Sequence, residues 1–311
     1  MRLVIAVVGP TAVGKSKLSF SLAQTLNGEI VSADSRQVYR YMDIGTAKPS
    51  LRERALIPHH LIDIVDPDET FSLALYQPLA YKAIEDILQR GKLPLLVGGS
   101  GLYVWSVLEG WHIPQVPPDS DFRRQMEERA AREGVDSLYR QLEKVDPASA
   151  GKIDHRNLRR VIRALEVYEA THTPFSQLQA KELPFLETLI LGLTTHRDEL
   201  YKLIDHRVDN MMTQGLVEEV KALADRGYGF ELPAMSSVGY KQIGQFIQGK
   251  VDLATAIQQI KFETHRFARH QYAWFSLKDP RIHWFDIAEQ VGSSILPLVK
   301  EEIKRNVAAD M

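Results

Sequence analysis

The chain opens with an unbroken apolar run, LVIAVV at Leu3 to Val8, which predicts a buried strand covered on both faces. A helix from Lys17 to Leu26 follows, apolar at Leu18, Leu22, Ala23 and Leu26. EIVSAD, Glu29 to Asp34, predicts a second strand that ends on a carboxylate, and HHLIDIVD, His59 to Asp66, a further short one. Ser72 to Arg90 carries the helical period and is stopped by Gly91; Leu93 to Val97 then returns as a buried strand running into GGSGLY, Gly98 to Tyr103. Past Trp111 the pattern changes. Pro114, Pro117 and Pro118 mark a boundary, and Asp119 to about Thr173 reads as wholly helical, rich in Arg, Glu and Lys. TLILGLTT, Thr188 to Thr195, restores a strand, after which helices are predicted over Arg197 to Met212, Leu216 to Arg226, Ser237 to Ile247 and Leu253 to Phe275. HWFDI, closed by Ile287, is the last strand candidate. Strands alternating with helices predict an α/β fold with a parallel sheet, interrupted by an all-helical insertion. The expected organisation is a core formed by residues 1–113 and 187–311, with residues 114–186 inserted.

Between the first strand and the first helix lies Gly9-Pro10-Thr11-Ala12-Val13-Gly14-Lys15-Ser16, which fits G-x-x-x-x-G-K-[ST]. The strand–loop–helix context is what a phosphate-binding loop requires, because backbone N–H groups at a helix start converge on phosphate oxygens. Gly14 lets the backbone close in without a Cβ, Lys15 reaches the outer phosphate oxygens, and the Ser16 hydroxyl offers a ligand position to Mg²⁺. A ligand bearing a di- or triphosphate is therefore expected here. In an open parallel sheet the carboxyl ends of the strands face the ligand crevice, which places Asp34 beside this loop. A nucleoside triphosphatase of this class carries an Asp at the end of a later strand, whereas the strand ending at Val97 continues as Gly98-Gly99-Ser100. That departure weakens a hydrolytic reading and shifts weight to Asp34.

Composition sets bounds on this picture. With 311 residues, 44% hydrophobic and 25% charged, the chain is long enough for about two domains with full cores. There are no cysteines, which excludes disulfides, thiolate zinc sites and a cysteine nucleophile, and fits a reducing cytoplasm. The opening strand is too short to span a bilayer, and cleavage of a leader there would destroy the phosphate loop, so no membrane association is expected. The His59-His60 pair points to opposite faces of a strand and is not expected to bind metal. DIGTAKPS, Asp43 to Ser50, reads either as a functional loop or as a solvated turn.

A net charge of −2 gives no global reason to expect a nucleic-acid partner, but the cations are unevenly spread. In LRRVIRALEVYEA, Leu158 to Ala170, Arg159, Arg160 and Arg163 fall within little more than one turn, with Arg156 just upstream. Such a face meets phosphates, or else is solvated and paired with Glu166 and Glu169. KFETHRFARHQYAWF, Lys261 to Phe275, interleaves Lys261, His265, Arg266, Arg269 and His270 with Phe262, Phe267, Tyr272, Trp274 and Phe275. Cations among aromatics suit a single-stranded nucleic acid, while aromatics at helical spacing also build cores. Arg207 lies between Asp205 and Asp209, and its spacing leaves open whether those carboxylates neutralise it or it points inward at a pyrophosphate.

Taken in order, GPTAVGKS, SADSRQVYRYMDIGTAKPS, PHHLIDIVDP, VGGSGLY, NLRRVIRALEV, IDHRVDNMMTQGLVEEV and SSVGYKQ resemble the bacterial tRNA dimethylallyltransferase family over nearly the full length. The resemblance implies a P-loop core, an inserted helical domain that grips the anticodon stem-loop of tRNA, dimethylallyl diphosphate as donor, and Mg²⁺ as cofactor. It further implies a monomer that acts on the adenosine 3′ of the anticodon. By the same resemblance, Gly9 to Ser16 hold the diphosphate, Asp34, Thr11 and Arg207 are catalytic, and Ser16 is the metal ligand. Contacts to tRNA are expected from Asp34, Ser35, Arg36, Gln37, Ser100 and Arg123, and from the stretch Arg159, Arg160, Val161, Ile162 and Arg163. One segment departs from the pattern. The family's C-terminal run T-R-x-x-A-K-R-Q-x-T-W-F-R is represented by Thr264, His265, Arg269, His270, Gln271, Ala273, Trp274, Phe275 and Ser276, with several cations softened or lost.

The implied chemistry suits the residues. The exocyclic N6 of adenosine is a poor nucleophile, so a base such as Asp34 that takes its proton as the C–N bond forms is valuable. The departing pyrophosphate needs the loop N–H groups, Thr11, Lys15, Arg207 and Mg²⁺ on Ser16. Two readings from other classes use the same loop: a small-metabolite kinase, which leaves the arginine-bearing insertion without purpose, and a nucleotide-gated RNA-binding module, which has no need of Asp34. A transferase that prenylates free adenine nucleotides is a nearer rival, opposed by the size of the insertion.

Overall fold

The computed structural model describes residues 2–178, 186–289 and 291–309. Six strands, β1 (Leu3–Val8), β2 (Gly28–Ser32), β3 (His59–His60), β4 (Leu93–Val97), β5 (Glu187–Thr194) and β6 (Ile282–Asp286), form one sheet in the order β3-β2-β4-β1-β5-β6. Every neighbouring pair is parallel. All six residues of β1 are buried, as the apolar run requires of a central parallel strand with helices on both faces. The chain leaves β1 toward β2 and β3, returns to β4 beside β1, and later crosses to β5 and β6. The carboxyl ends of β1, β2 and β4 therefore meet where the winding direction reverses, the usual place for a ligand crevice in such sheets.

Backbone contacts hold that meeting point together. Gly98 N donates to Val7 O at 3.2 Å, Ala33 N to Val97 O at 2.7 Å, and Ser100 N to Ala33 O at 3.3 Å. A Cβ at Gly98 would lie 2.1 Å from Ala33 O. Glycine at this position is a condition of the close approach.

The chain divides into two compact units, Met1–Leu108 with Pro184–Met311, and Glu109–Leu183. The second unit starts before Pro114, because the chain leaves the first at the end of a helix, Gly101–Leu108. The expected return near residue 187 follows directly on residues 179–185, which lie outside the described residues. Within the first unit, one core lies on the sheet and includes Ile5, Val7, Ile30, Leu95 and Leu191. A separate core joins the segment after β2 (Val38, Tyr39 and Met42) to Val208, Met211, Leu216, Val220, Tyr240 and Ile260 on later helices.

Several elements differ from the sequence expectation. HHLIDIVD is a strand only at His59–His60, because Leu61 and Asp63 take positive φ and turn the chain, with Val65 rejoining Tyr39 in a single bridge. β2 ends at Ser32, so Asp34 lies in the loop just beyond it. The helix Gly101–Leu108 was not expected; it is apolar almost all round and buried on most faces, so it carries no amphipathic period to read. The closing helix Val291–Ala309 was masked by Gly292, Ser293, Ser294 and Pro297.

Among its described residues the second unit carries the helices Ser120–Glu133, Val135–Val145, Pro147–Ala150, Leu158–Thr171 and Phe175–Leu178. Asp119 caps the first of these, accepting from Asp121 N and Phe122 N, and Asn157 caps the arginine-bearing helix, accepting from Arg160 N. Its core is built by Leu138, Leu142, Val161, Ile162 and Leu165. Val161 and Ile162 are thus core residues, and their side chains are not available to a nucleic acid, contrary to the expectation for this stretch.

Glu166, 2% exposed, collects Arg123 Nε and Nη2 at 2.8 Å each, Arg163 Nη1 at 2.6 Å and the Asp119 N–H at 2.8 Å. Arg163 also donates to Val116 O at 2.9 Å. These arginines satisfy a buried carboxylate, whose pKa is held below the usual range by their hydrogen bonds against the opposing effect of burial. Removing the carboxylate leaves two guanidinium groups partly buried and unpaired. Glu166→Ala is expected to lower the unfolding free energy of this unit by about 2 kcal/mol, measured by urea denaturation.

Candidate functional site

Residues 9–14 form a loop of unusual backbone conformation: Gly9, Ala12 and Gly14 all take positive φ, at 134°, 70° and 86°. A Cβ at Gly9 would lie 2.3 Å from Leu193 O, so only glycine admits the turn out of β1. Val13 is buried in the sheet core and anchors the loop from inside. Gly14 caps the helix Lys15–Thr25 without a side-chain partner, which leaves the helix start open to an anion. Lys15 folds back to donate to Pro10 O at 2.6 Å, and Ser16 is exposed at the first turn.

One open cleft is lined by Thr11, Lys15, Ser16, Asp34, Gln37, Ser100 and Arg207, together with Thr46, Ala47, Phe267 and Gln271. The structure thus brings together, from four distant segments, most of the core residues singled out in the sequence. Arg207 points into the cleft. Asp209 instead pairs with Lys261 at 2.7 Å, and Asp205 Oδ1 lies 2.9 Å from His265 Nε2.

The electrostatics of the cleft are those of an anion site. The Lys15 pKa is lowered to about 7, first by burial and then by the Arg207 charge, with Asp34 opposing both. Burial also lowers the Arg207 pKa, again opposed by Asp34. Two cations held out of water with one carboxylate between them are undercompensated, and a polyanion such as a diphosphate corrects the imbalance. Asp34 accepts the Arg36 N–H at 2.8 Å through Oδ1. Ser100 Oγ accepts the Ser35 N–H at 3.1 Å and lies 3.4 Å from Ser35 Oγ, tying the loop after β4 to the loop after β2. Gln37 Oε1 accepts from Ser32 Oγ at 3.0 Å, and its amide donates to Thr46 O and Ala47 O at 3.3 Å. Arg36 turns away from the cleft, its Nη1 donating to Pro233 O at 3.1 Å.

Gln271 had no site role in the sequence reading. It is 3% exposed, accepts the Thr11 N–H at 2.8 Å and donates to Gly99 O at 2.9 Å, so one amide clamps the phosphate loop to the turn after β4. The Thr11 N–H is therefore engaged by the protein. A Cβ at Gly99 would lie 2.1 Å from Gln271 Nε2, the one sequence signal that a glycine pair here makes room for a side chain. The rest of that helix, Leu253–Trp274, divides as the two sequence readings did. Phe275 is core, Phe262 and Phe267 are exposed, and Lys261, His265 and Arg269 are engaged with Asp209, Asp205 and the Tyr201 hydroxyl.

The donors around the cleft suit a hard cation. Ser16 and Asp34 offer oxygen only, the ligand chemistry of Mg²⁺, which keeps several waters and rests largely on substrate phosphates. Among the described residues no three His, Asp or Glu side chains gather to hold a metal by themselves. His60 instead pairs with Glu29 at 2.7 Å.

In the helical unit, Arg159 and Arg160 are exposed and have no ion pair among the described residues, whereas Arg156 is held by Asp154 at 2.8 Å. Of the four arginines near Leu158, those two are the cations available to a phosphate backbone.

The family model described as IPP transferase matches residues 37–278. A tRNA dimethylallyltransferase of Herpetosiphon aurantiacus is 55% identical over 280 residues, covering 90% of this chain and 89% of that protein. One of Dehalococcoides mccartyi is 48% identical over 306 residues, covering 98% and 93%. Among solved structures, a tRNA isopentenylpyrophosphate transferase from Bacillus halodurans aligns with a TM-score of 0.73 at 40% identity, covering 100% of this chain and 99% of its own. A eukaryotic dimethylallyltransferase described as acting on tRNA aligns at 0.77 and 32% identity, covering 92% of this chain and 74% of its own.

The depressed Lys15 pKa makes anion binding pH-dependent with a defined sign. Below about pH 7 the lysine of the free protein is charged; above it, binding must first restore the proton. Affinity for sulfate, whose own charge is constant over roughly pH 6 to 9, is expected to fall by up to about tenfold per unit above pH 7. Lys15→Arg, which stays charged, is expected to flatten the profile, as read by calorimetric titration.

Proposed function

The chain belongs to the IPP transferase family, and from that premise we propose that it transfers a dimethylallyl group from dimethylallyl diphosphate to N6 of the adenosine 3′ of the anticodon in tRNA. The observation that carries the reading is the cleft itself. The half-buried cations Lys15 and Arg207 share it with a single carboxylate, Asp34, and the strand that would carry a water-activating Asp ends in Gly98-Gly99-Ser100. Such a site suits expulsion of a diphosphate by a nucleophile other than water.

In the proposed reaction the N6 lone pair forms a bond to C1 of the allyl group as the C1–O bond to diphosphate breaks, and the N6 proton passes to the Asp34 carboxylate. The open start of the helix Lys15–Thr25, Lys15, Arg207 and the Thr11 hydroxyl hold the diphosphate as its charge grows. Ser16 would hold a Mg²⁺, which would supply neutralisation of part of the leaving-group charge. Gln37 and Ser100 line the same cleft as Asp34, with Ser35 hydrogen-bonded to Ser100, and in this reading they orient the target nucleotide. A nucleotide in a loop leaves its stack at lower cost than one in a duplex, which favours the anticodon loop as substrate. Arg159 and Arg160 supply phosphate contacts from the helical unit, while Arg123 and Arg163 shape that unit through Glu166.

No helix among the described residues is long and apolar enough to cross a membrane. We place the reaction in the cytoplasm and assign it to a monomer.

The reading is tested by incubating the protein with dimethylallyl diphosphate, Mg²⁺ and unmodified tRNA, then identifying nucleosides by mass spectrometry. Dimethylallyl-adenosine is expected, and is expected to vanish when the target adenosine is replaced by guanosine; modification at any other nucleotide contradicts the assignment. Asp34→Asn is expected to lower kcat by roughly 10² or more with tRNA affinity within a few-fold of wild type. Arg159→Ala with Arg160→Ala is expected to weaken tRNA binding and reduce the slope of log affinity against log salt by about 1 to 2, measured by filter binding across ionic strengths.

A further inference from the structure

Part of the cleft wall is a segment without helix or strand, residues 43–49, which contributes Thr46, Ala47 and Pro49 to the lining. Such a segment holds a shape only if its backbone groups find partners. Three consecutive N–H groups, of Asp43, Ile44 and Gly45, donate to one carboxylate, Glu219, at 2.9, 2.7 and 3.1 Å. The fully buried Tyr240 hydroxyl adds a fourth bond to Glu219 at 2.6 Å; burial raises its pKa well above the usual phenol value, so it stays a donor. Gly45 packs close to the Tyr240 ring, where a Cβ would come within 2.4 Å of Cε2. On the outer side Lys48, its side chain 2% exposed, donates to Tyr39 O at 2.6 Å and pairs with Asp43 at 2.8 Å.

The same segment holds Gln37, another residue of the cleft lining. Thr46 O and Ala47 O both accept from Gln37 Nε2, and with Ser32 they fix the plane of that side chain. Glu219 lies on the helix Leu216–Asp225, directly after the helix Arg197–Thr213 that delivers Arg207 to the cleft. Two consecutive helices thus serve one site, one with the cation Arg207 and one with the carboxylate that holds part of its wall.

The geometry points to Glu219 as a positioning residue of the transfer reaction: it moulds residues 43–47, and through their carbonyls sets the orientation of Gln37 toward the acceptor base. It touches neither substrate. This assignment rests on the prenyl-transfer reading above, with Gln37 orienting the target nucleotide.

A double-mutant cycle on the full-length protein tests it, with steady-state kinetics on tRNA, calorimetric binding of inorganic diphosphate, and thermal denaturation. Glu219→Ala is expected to lower kcat/KM for tRNA by about tenfold or more while diphosphate affinity stays within about twofold. In a Gln37→Ala background the same change is expected to cost less than about threefold, because the group it positions is gone. Glu219→Gln keeps the shape of the side chain but sets an amide against backbone donors, and is expected to give a smaller, equally non-additive loss with a near-native melting temperature. Additive losses at positions 219 and 37, or loss of diphosphate affinity in step with thermal stability, overturn the inference in favour of a purely structural role. Absence of any transfer to tRNA by the wild-type protein overturns instead the reading on which it rests.

Discussion

The governing constraint in this molecule is the undercompensated positive charge in the cleft beside β1. Lys15 and Arg207 come from segments almost two hundred residues apart, each is withdrawn from water, and each makes the other's charge more costly. Asp34 offsets them in part. A folded protein tolerates such an arrangement when a ligand completes it, and the ligand that completes two cations at an open helix start is a polyphosphate.

The site depends on precise spacing between three loops, and the fold supplies it through main-chain contacts more than side chains. Backbone hydrogen bonds from Gly98 to Val7, Ala33 to Val97 and Ser100 to Ala33 lace the ends of β1, β2 and β4 together. Gln271 adds a cross-link from Thr11 to Gly99, and Glu219 binds the segment that contributes to the cleft wall. Glycines at 9, 45, 98 and 99 mark the approaches that a Cβ would block. The phosphate loop, Asp34 and residues 43–49 are therefore set by a frame, which suits the proposed reaction of two aligned substrates.

Much of this frame was readable from residues alone, for reasons that differ by element. β1, β4 and β5 are continuous apolar runs, and burial on both faces leaves no other reading. The phosphate loop and Asp34 followed from strand polarity and the position of one motif. Arg207 could be named but not oriented, because spacing does not show that Asp209 pairs with Lys261. The arginine cluster illustrates a limit of spacing arguments: Arg159, Arg160 and Arg163 look equivalent along one helix, yet the burial of Glu166 converts Arg163 into a packing residue and leaves the other two exposed. Gln271 and Glu219 were out of reach because their partners are backbone atoms 172 to 260 residues and 174 to 176 residues away, respectively, and a backbone group leaves no trace in the sequence.

In the proposed reaction the phosphate loop holds a diphosphate that departs intact, in place of a triphosphate that is cleaved. The most direct measurement follows the phosphorus of ³²P-labelled dimethylallyl diphosphate during turnover with tRNA and Mg²⁺. The account predicts intact inorganic diphosphate, one per adenosine modified and none without tRNA. Orthophosphate as the labelled product, or cleavage of ATP by the same protein with no change in the tRNA, would contradict it.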